Sequence, residues 1–163
     1  MRTPFLLLFL VFLAGCATSY QPKSFSGGYS ETRLREDIFK VSFKGNGYTS
    51  RERAADFALL RSAELALENG FRYFIIVSSE KDSSVSSYTD PSTSHTTATA
   101  YGSGRHAYGN ATTTTYGGNT YYISKPGATN TILCFKEKSE NDALVLEAQF
   151  IAKSIRGKYG IPK

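Results

Sequence analysis

The chain has 163 residues, with 19 Lys and Arg against 14 Asp and Glu and a formal net charge of +5, enough for one modest domain. The charge excess is mild and no dense Lys/Arg block exists, which argues against nucleic acid as a partner. Two cysteines exclude a disulfide scaffold.

Arg2 and the amino terminus give a positive start, Phe5 to Leu13 is unbroken apolar sequence, and Leu13-Ala14-Gly15-Cys16 brings small residues up to a cysteine. This order reads as an export signal, and the apolar run is shorter than the ~20 residues a spanning helix needs. Leu13, Ala14, Gly15 and Cys16 resemble a bacterial lipoprotein signal. The resemblance implies a signal peptide over 1–15, cleavage before Cys16, a thioether-linked diacylglycerol on Cys16 and acylation (palmitate-type) of the new amino terminus. In lipoproteins of Gram-negative bacteria the next residue influences sorting. Ala17 is not the aspartate associated with inner-membrane retention, so the expected place is the outer membrane, facing the periplasm.

Residues 16–28 are polar, carry Pro22, Gly27 and Gly28, and show no period; they read as a flexible tether. A single α+β domain is expected over 29–163. Within it, Ile38 to Lys44 alternates, with Phe39, Val41 and Phe43 on one face, as a half-buried strand does. Gly45-Asn46-Gly47 ends it in a turn. Thr49 and Glu52 have capping-box spacing, which predicts a helix over Ser50 to Glu68 with Thr49 as N-cap, stopped by Asn69-Gly70. Its Ala and Leu residues cover a broad arc, leaving Phe57, Arg61, Glu64 and Glu68 on the remaining side, where Arg61 reads as a solvated charge.

Phe71 to Val77 is aromatic and β-branched throughout, as expected of an inner strand. From Ser83 to Ser124 the composition turns to Ser, Thr, Gly and Tyr, with only Asp90 and Arg105 charged. This excursion reads either as disordered or as an extended polar hairpin. Strand-forming Thr and Tyr around Gly102-Ser103-Gly104 and Gly117-Gly118-Asn119 favour the hairpin. Thr131 to Lys136 is the third core strand, antiparallel to Phe71–Val77. Cys134 within it, left unpaired once Cys16 is lipidated, reads as a small buried hydrophobe. A last helix is expected from Asn141 or Asp142 to Arg156, with Leu144, Ala148, Ile151, Ala152 and Ile155 as its apolar stripe and Gly157 and Gly160 ending it. The expected fold is therefore a small three-stranded sheet with two helices packed on one face, in the order β-α-β-β-α, with the long insertion between strands two and three.

Gly28-Tyr29-Ser30-Glu31-Thr32 and the block Gly45 to Phe57, continuing through Arg61, Ala63, Glu64 and Leu65, resemble a family of small proteobacterial lipoproteins of unassigned function. The likeness implies export and the domain boundaries. It carries no activity, substrate or catalytic residue.

His95 and His106, both in the excursion, sit in no metal-ligand or catalytic spacing, and no serine sits in a nucleophile-elbow motif. No catalytic residue, metal or cofactor is expected, and the chain does not read as an enzyme. Tyrosine offers contact area with a hydrogen-bonding tip, so Tyr101, Tyr108, Tyr116, Tyr121 and Tyr122, with Arg105 and His106 near the tip, form the candidate interface. The leading expectation is a lipid-anchored, non-enzymatic partner-binding module of the cell envelope. Its partners would be the membrane through the lipid, and an outer-membrane protein or envelope glycan, with self-association through Thr/Tyr strand edges as a third outcome. The alternative is an envelope hydrolase or small-ligand protein with His95, His106 or Arg61 at a pocket edge.

Overall fold

A computed structural model describes residues 17–138 and 144–162. Among these residues the chain forms β1 (Gly28–Arg33), β2 (Ile38–Lys44), α1 (Arg51–Glu68), β3 (Tyr73–Thr89), β4 (Thr93–Ser103), β5 (His106–Tyr116), β6 (Thr120–Phe135), β7 (Leu146–Glu147) and α2 (Ala148–Tyr159). Seven strands in two sheets thus replace the expected three-stranded β-α-β-β-α arrangement. The chain divides into two compact units, one of residues up to Ser84 and from Ser124, the other Val85–Ile123.

The first unit holds the five-stranded sheet, in the order β1-β2-β6-β3-β7. β1 pairs antiparallel with β2, Tyr29 opposite Phe43, and β2 pairs antiparallel with β6, Phe39 opposite Ile132. The β3–β6 pair is also antiparallel, since Arg72 meets Phe135 at one end while Asp82 faces Gly127 at the other. β6 therefore lies between β2 and β3, which run parallel to each other through the α1 connection. β1 escaped the sequence reading because Gly-Tyr-Ser-Glu-Thr-Arg has no apolar alternation; it is an edge strand whose identity comes from its partner. β7 is two residues long, with Leu146 opposite Phe74.

Both helices cover one face of this sheet. Phe39 and Val41 of β2, Phe74 of β3, and Ile132 and Cys134 of β6 pack in one cluster with Leu60, Ala63 and Ala66 of α1 and Ala152 and Ile155 of α2. Burial of each large side chain contributes about 1.5–3 kcal/mol. Phe57 joins four elements. Its ring lies 5.1 Å from Phe43, 4.9 Å from Tyr159 and 5.5 Å from Tyr20, all edge-on. The helical wheel of α1 places Phe57 and Arg61 on the solvent side. Both are buried, because the segment before β1 and the end of α2 cover that side of α1.

Three local expectations need correction. Ser50, not Thr49, caps α1, its hydroxyl accepting from the Arg53 amide at 3.0 Å. The predicted start of the last helix at Asn141 or Asp142 lies outside the described residues. α2 itself begins at Ala148, because Leu146 is held in the β3 ladder, and Leu144 is exposed instead of lining a helical stripe. Gly157 is inside α2, and Gly160, in the left-handed conformation at φ 63°, ends it.

Residues 17–28, read as a flexible tether, are laid onto the domain. Thr18 is buried. Its amide donates to the Thr49 hydroxyl at 3.1 Å, and its hydroxyl donates to the Ser26 carbonyl at 2.8 Å while accepting from the Asn46 amide at 2.9 Å. Tyr20 packs against both parts of the core.

Candidate functional site

The second unit is a polar arm. β4 and β5 form a two-stranded ladder that runs without a break from Thr93 opposite Tyr116 to Ser103 opposite His106. Gly104 and Arg105 close it. Gly104 has φ 62° and Arg105 has no positive φ, the pattern of a type II′ turn, for which glycine comes first. Thr and Tyr supply the strand propensity, and cross-strand hydroxyl pairs knit the ladder: Ser94 with Thr115 and Thr96 with Thr113, each at 2.9 Å. The excursion is thus the hairpin of the two readings.

Side chains alternate across a strand, so the register assigns them to faces. His95, Tyr101, His106, Tyr108 and Tyr116 share one face, with Tyr101 directly opposite Tyr108. Ala98, Ala100, Gly102, Ala107, Gly109 and Ala111 share the other with Ser94, Thr96, Thr113 and Thr115, so that face carries only small side chains. All residues of β4 and β5 are exposed on both faces. The two outer edges of the ladder carry no Lys, Glu, Asp or Pro within the strands, the features that usually block further pairing. Arg105 stands at the turn. Tyr121 and Tyr122 are exposed but fall on β6, pointing to opposite sides of that strand and outside the β4–β5 ladder. Cys16 lies outside the described residues.

His95 faces Thr114 and His106 faces Ser103 on the exposed ladder, whereas Arg61 is buried in the first unit. There its guanidinium reaches Glu68 at 2.7 Å and Glu31 at 3.0 Å and lies over the Tyr29 ring at 4.8 Å. Glu64, also buried, accepts from Arg156 at 2.7 Å and from the Tyr20 hydroxyl. Burial opposes the charge on Arg61, but hydrogen bonds to Glu68 and Glu31 outweigh it and hold its pKa above the usual arginine value. Burial and the Glu64 bond raise Tyr20 well above a free phenol. This network joins β1, α1, α2 and the segment before β1. Sequence reading missed it because Arg61 and Glu64 have helical spacing that equally suits a solvated face. The signal for it is tertiary.

Cys134 lies in the core, and burial, followed by the nearby Asp37 charge, pushes its thiol up to about 12. At neutral pH it is a protonated, inert side chain. Among the described residues no group of three His, Cys, Asp or Glu is arranged to hold a metal ion, and no helix is long and apolar enough to cross a membrane. No protein-family model, curated protein or solved structure matches this chain.

Proposed function

We propose that the protein is a lipid-anchored, non-enzymatic module of the outer membrane that faces the periplasm and holds a partner protein on its β4–β5 arm. The observation that carries the reading is the two-faced, fully exposed ladder with Tyr101, Tyr108 and Tyr116 on one side. A two-stranded ribbon buries little of its own surface and is marginally stable alone in water. Three tyrosines on one face offer rigid contact area at low entropic cost. Uncharged, unblocked edges offer backbone groups to an added strand. Anchoring through Cys16 rests on the lipoprotein-like signal, and fixes the module at a membrane.

Two measurements test this. Mass spectrometry of the membrane-extracted chain should find an amino-terminal acylated, diacylglycerol-modified Cys16, and Cys16→Ser should release the protein from membranes. An unmodified Cys16 would overturn the anchoring. A photo-crosslinker at Tyr108 should capture one discrete partner protein in cells, and the same probe at Thr32, outside the arm, should not. Equal capture from both positions would overturn the arm as recognition surface. Cross-links only to a second copy of the chain would replace the hetero-partner with edge-to-edge self-pairing.

A further inference from the structure

One end of the five-stranded sheet is defined by a row of residues that face each other across four strands: Gly28, Lys44, Gly127 and Asp82. Three lysines gather there. Lys23, Lys44 and Lys125 line a cleft of about 410 Å³ together with Phe25, Asp82 and Gly127. Arg51 and Lys81 line a neighbouring hollow of about 210 Å³ that shares Asp82 and Gly127. Five basic residues thus line the two adjoining hollows, and Asp82 is the one carboxylate among their lining residues.

Two aromatic rings stand out from the same end. Phe25, at the tip of the turn in which Ser24 and Gly27 bond each other, is fully exposed, and Tyr48 is 76% exposed. The turn is built to hold that tip out. Gly27 has φ 107°, and a Cβ there would lie 2.2 Å from the Lys44 carbonyl oxygen. Tyr48 is fixed through its amide, which donates to the Asn46 side chain at 3.0 Å.

The described chain begins at this end. Thr18 is bonded to Ser26, Asn46 and Thr49, the neighbours of Phe25 and Tyr48, and only Ala17 separates it from Cys16. If the lipid is on Cys16, no slack exists to hold the domain away from the bilayer. An anchor at that point brings Phe25, Tyr48 and the lysines to the headgroup level.

We infer that this end of the sheet is a membrane-docking surface, in which Lys23, Lys44, Lys125, Arg51 and Lys81 meet anionic lipid headgroups while Phe25 and Tyr48 enter the interface. The chemistry matches the site. Basic side chains are drawn to an anionic surface within a Debye length, and aromatic rings prefer the boundary between headgroups and acyl chains. The lipid supplies proximity, and the patch fixes which way the domain faces. The inference rests on the anchoring reading for its orientation, but its contacts are testable without the lipid.

The test uses the exported chain with Cys16→Ser, which removes the acyl groups. In flotation with vesicles of phosphatidylethanolamine and phosphatidylglycerol at 3:1, this chain should rise with the lipid at low salt and lose binding in 0.5 M NaCl. It should not rise with neutral phosphatidylcholine vesicles. Each of Lys23→Gln, Lys44→Gln and Lys125→Gln should weaken partitioning about fivefold. In the same Cys16→Ser chain, Phe25→Trp should give indole emission that shifts to the blue on the anionic vesicles. Absence of binding by the parent chain, equal binding by the lysine variants, or unshifted emission from the introduced indole would overturn the docking surface. The lipid on Cys16 of the wild-type chain is read separately by its mass. A lipidated chain whose Cys16→Ser form ignores vesicles therefore rejects the docking surface alone, and an unlipidated chain that still binds rejects the anchor alone.

Discussion

The amide of Thr18 donates to the hydroxyl of Thr49 at 3.1 Å, and both residues are buried. The bond links the start of the described chain to the loop before α1, across 31 positions of sequence. Thr49 also accepts from the Asn46 amide and donates to the Asn46 side chain. Thr49→Val keeps the shape and removes the hydroxyl. It should cost about 1–3 kcal/mol, the penalty of leaving a buried donor unmet, read as a lower urea midpoint with unchanged slope. Limited proteolysis should then cut first within residues 17–28.

Arg61 is the centre of a second link. Arg61→Ala would leave buried Glu64 with Arg156 as its cation and strip Glu31 and Glu68 of their partner. Glu31 and Glu68 are 35% and 53% exposed, so solvent takes up part of the loss, and the cost should be about 1–3 kcal/mol, below that of a fully buried pair. Arg61→Lys should recover only part of this, because one ammonium cannot make the forked contacts to Glu31 and Glu68. Chemical denaturation of the three chains checks the order.

Gly27→Ala places a side chain at φ 107° and against the Lys44 carbonyl. The strained conformation should cost about 1–3 kcal/mol. Gly157→Ala, where a Cβ meets nothing within 4 Å inside α2, should instead stabilise by up to ~1 kcal/mol. Thermal unfolding of the two variants should therefore move in opposite directions.

Cys134 gives a pH signature. Its native pKa is raised from the ordinary 9.0 to about 12 by burial and by Asp37. The folded state holds the proton more tightly, so this contribution is complete below pH 9 and is lost as pH rises from 9 toward 12. Tyr20, raised from 10.0 by burial and by Glu64, adds a further loss above pH 10. Urea midpoints should fall through this alkaline window, and Cys134→Ala should flatten the part between pH 9 and 10. At about pH 8 a thiol reagent should label Cys134 only after denaturant is added.

Replacing Val85–Ile123 by Asn-Gly should leave the first unit folded. No side chain of β4 or β5 is buried, so the core loses no packing partner. Far-ultraviolet circular dichroism should keep its helical bands, and the urea midpoint should stay within about 0.5 kcal/mol of the full chain's stability. Loss of the folded signal would mean that the arm supports the sheet.

The sequence alone determined the elements whose pattern is internal to themselves. The alternation of Phe39, Val41 and Phe43 marks β2, the bulk of Phe71–Val77 marks the start of β3, and Asn69-Gly70 ends α1 near its true limit. For the polar excursion the sequence left disorder and a hairpin both open, and its Thr, Tyr and Gly favoured the hairpin that β4 and β5 form. Tertiary structure decided the rest. β1 and β7 exist because β2 and β3 present edges to them, and nothing in their own residues says so. The solvent side of α1 became an interior because a segment without periodicity folds back over it. Phe57, Arg61 and Glu64 are buried there by neighbours distant in sequence, from Tyr20 to Tyr159. The basic end is assembled from separate stretches of chain, and the register of the strands brings Gly28, Lys44 and Gly127 into the row beside which Lys23, Phe25 and Lys125 stand. Local propensity acts over a turn or a strand; burial and charge pairing act across the whole fold, and they decided which side chains are buried and which are left at the surface.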